Sequence, residues 1–262
     1  MSQTPQLPVV TLRGGAELPM VGFGTWPLRG RQAYDGVLAA LAAGYRHIDT
    51  ATMYRNEDEV GRAVADSGLD RGEVFITTKL RSSDAGQERR VLRRSLRALR
   101  TDYLDLWLVH WPPARRGLRQ QVWNELAAAK AAGLVRSVGV SNYSLAQIDE
   151  LDGSGELPAV NQVHWNPARF DAATLAGHGE RGVVLEGYSP LKDTDLTDPV
   201  LAKAAEAHGV SPAQVVLRWH LEHQIPVLVK SSRPDRIRAN LDVAGFALDP
   251  GEVAGIDQLG RG

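Results

Sequence analysis

Four ionisable side chains come at or just after the ends of three successive strand-like runs of the sequence: Asp49, Tyr54, Lys79 and His110. Each alone has an ordinary structural explanation, such as a helix cap for the aspartate or a solvated loop charge for the lysine. In a barrel of parallel strands, however, active residues collect just past the carboxyl ends of the strands. Their coincidence at three adjacent strand ends therefore predicts a catalytic site.

These residue types make chemical sense as a proton donor. An isolated phenol titrates near ~10, too high for easy proton donation at neutral pH, and a neighbouring ammonium lowers that pKa. Asp49 would orient Lys79, Lys79 would lower the pKa of Tyr54, and Tyr54 would protonate a developing alkoxide. His110 would donate a hydrogen bond to the same oxygen. Since no residue is an obvious nucleophile, the set suits reduction by a hydride donor better than hydrolysis.

The elements that must position these residues alternate along the chain. Helical patterns separate eight strand-like runs, at residues 21–24, 46–49, 74–78, 104–109, 135–140, 159–163, 183–187 and 226–229. Parallel strands need such helical crossovers, and eight of them close naturally into a barrel. We therefore predict an α/β fold, a (β/α)8 TIM barrel, as a single domain over residues 1–262.

Two glycine patterns bear on this fold. Gly14 and Gly15 lie between two apolar runs within residues 9–18 and predict an N-terminal β-hairpin before the barrel. The alternative to a barrel, an open doubly wound sheet, would place a glycine-rich phosphate turn after an early strand. The segment 22–27 lacks the third glycine of that turn, so the sequence favours the barrel.

Composition argues against several other functions. The formal net charge is −1, whereas nucleic-acid and membrane-surface binders usually carry a basic excess. Because cysteine is absent, disulfides, thiol nucleophiles and cysteine-ligated zinc are excluded. No apolar run approaches the ~20 residues that span a bilayer, and residues 1–12 lack a signal-peptide pattern. We expect a cytoplasmic monomer with no metal site and no nucleic-acid or membrane partner.

Longer motifs carry a resemblance that extends along nearly the whole chain. In order, they are residues 44–51 with Tyr54, Asn56 and Glu57, then residues 75–80, 106–112, 138–142, 160–162, 188–191 and 229–237. This set is similar to the signature of the aldo-keto reductase superfamily. The brief loops and short C-terminus most resemble the bacterial group that includes 2,5-diketo-D-gluconate reductases.

The resemblance implies an NADPH-dependent reductase of aldehydes and ketones and assigns roles to matching positions. Asp49, Tyr54, Lys79 and His110 match the catalytic tetrad. The implied cofactor residues are Ser141, Asn142 and Gln162 at the nicotinamide carboxamide, Tyr188 stacked on its ring, Ser189 and Leu191 beside it, Lys230, Ser231, Ser232 and Arg236 at the 2′-phosphate, and Asn240 at the adenine.

Residue chemistry alone also favours a phosphate site after the last strand. Lys230, Arg233 and Arg236 follow that strand, with two hydroxyls between them. TIM barrels frequently bind phosphate near strands seven and eight, and arginine offers a forked donor to phosphate oxygens. The alternative is a solvated basic helix start, although a helix N-terminus normally favours acidic residues.

Residues at the expected rim suggest the substrate pocket. Trp26 and Trp111, together with His110, would line it, because exposed aromatic side chains are costly unless they bind something. Arg81 stands where many relatives have an aromatic, so it either places a cation at the pocket mouth or points into water. We expect small carbonyl compounds, α-dicarbonyls or keto sugars as substrates.

Several features and competing functions remain as alternatives. The run 164–166 (His-Trp-Asn) differs from the acidic-aromatic-His run common in relatives, and the sequence offers no reason for it. His220 and His223 lie one helical turn apart and are expected to be structural. The arginines around 89–100 are expected to form a solvated face.

A reductase-like protein that senses NADPH is the second functional hypothesis. A metal-dependent barrel hydrolase would need a His-x-His pair, which the sequence lacks.

Overall fold

The computed structural model describes residues 8–151 and 155–260. An antiparallel pair of strands comes first, β1 (Val9–Thr11) and β2 (Glu17–Pro19). Eight parallel strands then close into a barrel: β3 (Val21–Gly24), β4 (His47–Asp49), β5 (Phe75–Leu80), β6 (Leu104–Val109), β7 (Val135–Ser141), β8 (Val160–His164), β9 (Val184–Tyr188) and β10 (Val227–Val229). The predicted TIM barrel and N-terminal hairpin are confirmed. The expectations for residues 1–7 and for the last two residues of the domain lie outside the described residues.

Helices follow the strands around the barrel. Their bounds are α1 (Gly30–Ala43), α2 (Glu57–Asp66), α3 (Glu88–Ala98), α4 (Arg116–Ala131), α5 (Leu145–Asp149), α6 (Ala172–Glu180), α7 (Pro199–His208), α8 (Pro212–Glu222), α9 (Pro234–Leu241) and α10 (Pro250–Asp257). Ser144 caps α5 by accepting from the backbone N–H of Gln147, as its residue type predicts. Within the described ranges, no helix is long and apolar enough to cross a membrane.

Alternation along each strand divides the core into two regions. On β6, Trp107 and Val109 pack in the large cluster with residues of the surrounding helices, whereas Leu106 and Leu108 belong to a separate cluster inside the barrel. Successive strand residues point to opposite faces, which accounts for this division. Leu18, together with Leu12, joins the inner cluster, so the hairpin covers the amino-terminal end of the barrel.

Polar side chains occupy the carboxyl-terminal end of the barrel. Strand β5 continues past its predicted end at residue 78 to Leu80, so Lys79 lies within a strand and is fully buried. Asn56 precedes α2 but makes no side-chain cap there. Its amide instead donates to the backbone oxygens of Thr25 and Leu28 and accepts from the Thr50 hydroxyl. Asn56 thus ties together two loops at the rim.

Candidate active site

The four residues predicted to act as a proton donor meet at the carboxyl-terminal rim. Asp49 ends β4, Lys79 lies near the end of β5, and Tyr54 ends the short 3-10 turn Thr52–Tyr54. Lys79 Nζ donates to Asp49 Oδ1 at 2.5 Å and lies 3.4 Å from the Tyr54 hydroxyl. His110, which follows β6, packs edge-on to Tyr54 with the ring centroids 5.7 Å apart.

Burial and charge set the protonation of this group. Burial alone lowers the pKa of Lys79, but Asp49 and Tyr54 outweigh it and raise the pKa above its usual value, so the ammonium stays charged. Burial raises the pKa of the Tyr54 phenol, and Lys79 only partly lowers it. From the sequence, only the effect of the lysine on this pKa could be predicted. In the structure, Tyr54 therefore keeps its proton at neutral pH, as an acid must.

His110 is neutral in this environment. Burial, followed by the charge of Lys79, lowers its pKa to about 3. Its Nδ1 atom is buried and has no hydrogen-bond partner among the described residues. A neutral imidazole carries one N–H, and placing that proton on Nδ1 would leave a buried donor unpaired. The proton therefore belongs on Nε2, from which His110 can donate to a ligand.

A chain of hydrogen bonds joins the next three strands of the rim. The Ser141 hydroxyl donates to the backbone oxygen of Gln162 at 2.8 Å. The Asn142 side chain donates to the backbone oxygen of His110 at 3.0 Å and accepts from the Tyr188 hydroxyl at 2.8 Å. The structure thus brings together the residues that the resemblance assigns to the nicotinamide.

Gln162 connects this chain to the tetrad and to a residue that the sequence analysis missed. Its Nε2 atom donates to Asp49 Oδ2 at 2.9 Å and to Glu186 Oε2 at 2.8 Å. Glu186 lies on β9 and is fully buried. A glutamate within an otherwise apolar strand was the signal that could have identified it, because such residues are almost never fully buried unless paired.

A cavity of about 430 Å³ opens above these residues. The predicted site residues that line it are Trp26, Asp49, Tyr54, His110, Trp111, Ser141, Asn142, Gln162, Tyr188, Ser189, Leu191, Lys230 and Asn240. The lining residues that the sequence analysis did not assign to the site are Gly24, Met53, Pro190, Lys192, Leu228 and Val229. Met53 and Lys192 directly adjoin predicted residues in the sequence, which was the available signal.

Four predicted site residues lie outside the cavity lining. Lys79 lies beneath Tyr54, where it contacts the phenol from within the barrel. Ser231 and Ser232 lie between β10 and α9, and Arg236 is exposed on the first turn of α9. These three residues lie just beyond Lys230, which does line the cavity.

The basic segment after β10 contains both paired and unpaired cations. Arg233 forms a two-point contact with Asp235 (Nη2 to Oδ2, 2.7 Å; Nε to Oδ1, 3.2 Å). Lys230 and Arg236 form no ion pair with any described residue. Of the three cations considered in the sequence, these two are therefore free to bind an anion.

Arg81 does not reach the cavity. Its guanidinium donates two hydrogen bonds to the Asp84 carboxylate, at 2.9 and 3.0 Å, and Arg81 is absent from the cavity lining. A cation at the pocket mouth, one of the two alternatives from the sequence, is therefore the wrong one. Asp84, three residues further along the chain, pairs with the Arg81 guanidinium instead.

The unusual run 164–166 has a structural explanation. The His164 ring stacks against Tyr188, with centroids 5.6 Å apart and an interplanar angle of 14°. The Asn166 side chain donates to the backbone oxygen of Lys192 at 2.5 Å. Together these residues hold Tyr188 and the loop after it against the cavity.

His220 and His223 contact protein groups, and the arginines within residues 89–100 lie on an exposed face, as predicted. His220 lies within hydrogen-bond distance of the backbone oxygens of Val216 and Trp165, and His223 contacts Asp257. On α3, Arg89 pairs with Glu125. In the described ranges, no three metal-ligating side chains come together.

Fold and site together define a barrel oxidoreductase, with a lysine-supported tyrosine at the carboxyl ends of parallel strands. The model of the aldo/keto reductase family matches residues 20–261. The chain belongs to the aldo/keto reductase family, in which NADP(H)-dependent carbonyl reduction is general.

Individual relatives support this membership. The chain is 42% identical over 263 residues to 2,5-diketo-D-gluconic acid reductase B of a Corynebacterium species, covering 98% of this chain and 95% of that protein. The crystal structure of an aldo/keto reductase from Brucella melitensis is similar with a TM-score of 0.94 at 39% identity, covering 97% of this chain and 100% of that one. A Bombyx mori aldo-keto reductase in complex with NADP gives a TM-score of 0.91 at 31% identity, covering 98% and 94%. The resemblance to the bacterial reductase group is confirmed.

Proposed function

We propose that this protein reduces aldehydes and ketones to alcohols with NADPH, and that Tyr54 is the general acid. One observation carries the proposal: Tyr54 lines the cavity, and a buried, charged lysine lies 3.4 Å from its hydroxyl. A protonated phenol backed by an ammonium has a proton to give and a cation to stabilise the phenolate that remains.

The lining of the cavity supports a dinucleotide cofactor. It extends from the tetrad past Gln162 and Tyr188 to Lys230 and Asn240. We assign Ser141, Asn142 and Gln162 to the nicotinamide carboxamide and Tyr188 to its ring, with Ser189 and Leu191 alongside. The unpaired cations Lys230 and Arg236, with Ser231 and Ser232, would hold the 2′-phosphate, and Asn240 the adenine. Charge-assisted bonds from lysine and arginine to phosphate are strong ones. When bound, the reduced nicotinamide supplies a hydride.

The residues of the chain handle the proton and the carbonyl oxygen. His110 donates a hydrogen bond from Nε2 and positions the oxygen. Tyr54 gives its proton to that oxygen as negative charge develops there. Lys79 stabilises the resulting phenolate, and Asp49 keeps the lysine charged and in place. The proton on Tyr54 is then restored from solvent.

Small carbonyl compounds, including α-dicarbonyls and keto sugars, are the proposed substrates. Large apolar side chains surround the entrance and remain exposed: Trp26 at 49%, Met53 at 44% and Trp111 at 50%. One relative is named for a diketo sugar acid. NADPH oxidation against a panel of aldehydes, ketones, α-dicarbonyls and keto sugars tests the proposal. Absence of turnover across the whole panel would contradict it.

A further inference from the structure

Glu186 is a buried carboxyl group in the middle of the barrel with no part in the proposed proton transfer. It has no exposed surface. One of its oxygens, Oε2, accepts from Gln162 at 2.8 Å. The other, Oε1, faces His47 Nδ1 at 3.8 Å, and neither of these two atoms has a hydrogen-bond partner among the described residues. Burying an ionised carboxylate without full pairing is costly, so its presence here calls for an explanation.

The charges around Glu186 favour its neutral form. The titratable groups that face it are His47 and Asp49 on β4 and Lys79 on β5. Burial, together with Asp49, raises the pKa of Glu186 to about 8 against the opposing effects of Gln162 and Lys79. Burial and Lys79 lower the pKa of His47 to about 3. At neutral pH, Glu186 is a carboxylic acid and His47 an uncharged imidazole.

The two contacts of Gln162 fix the orientation of its amide. The same nitrogen, Nε2, contacts both Asp49 and Glu186. A side-chain amide nitrogen has two hydrogens, so both are used and the nitrogen cannot exchange places with the oxygen. Among hydrogen bonds between described residues, none ends at Gln162 Oε1, and Gln162 lines the cavity. Oε1 is therefore the atom left to accept from a ligand.

We propose that Glu186 is a positioning residue. From beneath the cavity it accepts a hydrogen bond from the second N–H of Gln162, and this bond orients Gln162 Oε1 toward the amide N–H of the nicotinamide. This inference rests on the proposed function. Without Glu186, the Gln162 amide keeps only its bond to Asp49 and can rotate away from the ligand. Asp49 would then share its Oδ2 with a mobile group while its Oδ1 holds Lys79.

Cofactor affinity in purified variants tests the proposal. Glu186→Leu is expected to weaken NADPH binding by about three- to tenfold, the equivalent of one hydrogen bond. Glu186→Gln should stay within about twofold of wild type, since its amide oxygen can still accept from Gln162. In a Gln162→Ala background, Glu186→Leu should cause no further loss, because its effect passes through the missing amide.

A matched control separates positioning from folding. Glu57 is a second buried carboxyl group, bonded to the Thr78 hydroxyl at 2.7 Å and away from the cavity lining. Glu57→Leu should lower the melting temperature without changing the Kd for NADPH. Unchanged affinity in Glu186→Leu, or losses that multiply in the Gln162→Ala background, would overturn the proposal. Wild-type protein that does not bind NADPH would instead refute the proposed function.

A pH comparison keeps the proposal testable if Glu186→Leu does not fold. The oxidised nicotinamide ring is positively charged, and the reduced ring is not. As Glu186 ionises above about pH 8, a negative charge appears below the ring and favours the oxidised form. The ratio of the Kd for NADP+ to that for NADPH should therefore fall above that pH in wild type and stay flat in Glu186→Gln. Identical profiles would show that Glu186 does not lie beneath the nicotinamide.

Discussion

Tyr54 depends on its neighbours for both its proton and its position. Burial raises the pKa of the Tyr54 phenol and so keeps its proton in place. The Lys79 ammonium stabilises the phenolate once the proton has left. In the proposed mechanism, this division makes the same tyrosine an inert phenol in the resting protein and an acid once negative charge develops on a bound carbonyl oxygen.

Removing the phenol hydroxyl tests its role directly. Tyr54→Phe is expected to lower kcat for carbonyl reduction by about 10²- to 10⁴-fold, the usual cost of losing a general acid. The Kd for NADPH should change little, because the ring remains in place. Steady-state kinetics and a fluorescence titration of NADPH provide the two measurements. Wild-type turnover in this variant would mean that another group gives the proton.

Replacing Lys79 should affect the stability of the fold as well as the rate of the reaction. Lys79→Met should reduce kcat as severely as Tyr54→Phe. It should also destabilise the fold by about 3–5 kcal/mol, because Asp49 is left as a buried, unpaired charge. Adding Asp49→Asn should recover much of that stability but none of the activity. Recovery of activity in the double variant would contradict a role for the ammonium.

At the scale of elements, the proposed 2′-phosphate site extends from the loop after β10 into the first turn of α9. Lys230→Met and Arg236→Met are each expected to weaken NADPH binding by about ten- to a hundredfold while leaving NADH binding nearly unchanged. Isothermal titration with both cofactors measures the difference. Arg233→Met is the matched control in the same segment, because its guanidinium is already bound by Asp235. An equal loss in the control would mean that only general positive charge matters.

The strands could be predicted because their pattern is local. Apolar β-rich runs between helical patterns located all eight barrel strands, and their ends differ by up to two residues from those observed, as at Leu80. The tetrad followed from the rule that active residues collect at the carboxyl ends of strands.

Contacts that depend on register could not be read from the sequence. Glu186 meets Gln162 only because β8 and β9 pair with these residues side by side. Arg81 was ambiguous because its partner, Asp84, becomes available only through the turn between them. Asn56 has the residue type of a helix cap, yet the closeness of two loops gives it other partners.

At the scale of the whole molecule, buried histidines make stability depend on pH. Burial lowers the pKa of His47 and His110 to about 3 and that of His220 to about 4. The unfolded chain therefore binds more protons than the fold below the ordinary histidine pKa of ~6.5. Stability contributed by each group is present above that value and is lost as pH falls toward the folded pKa.

Urea unfolding at pH 7 and pH 5 measures this dependence. Each histidine should cost about 2 kcal/mol over that interval. Glu186 opposes the trend, since its raised pKa stabilises the fold toward lower pH. His220→Gln should therefore reduce the loss on acidification by about 2 kcal/mol relative to wild type. An unchanged pH dependence would show that His220 is not buried in its neutral form.

The hairpin of β1 and β2 closes the amino-terminal end of the barrel. Leu12 and Leu18 are buried against the inner cluster at the amino-terminal end. The hairpin therefore covers the buried His47 at that end, whereas the cavity opens above Tyr54 at the other. A ligand that fills the cavity then isolates Tyr54 from bulk solvent. In the proposed mechanism, the proton given to the product is therefore the one that Tyr54 held before binding, and its replacement must wait until the cavity empties.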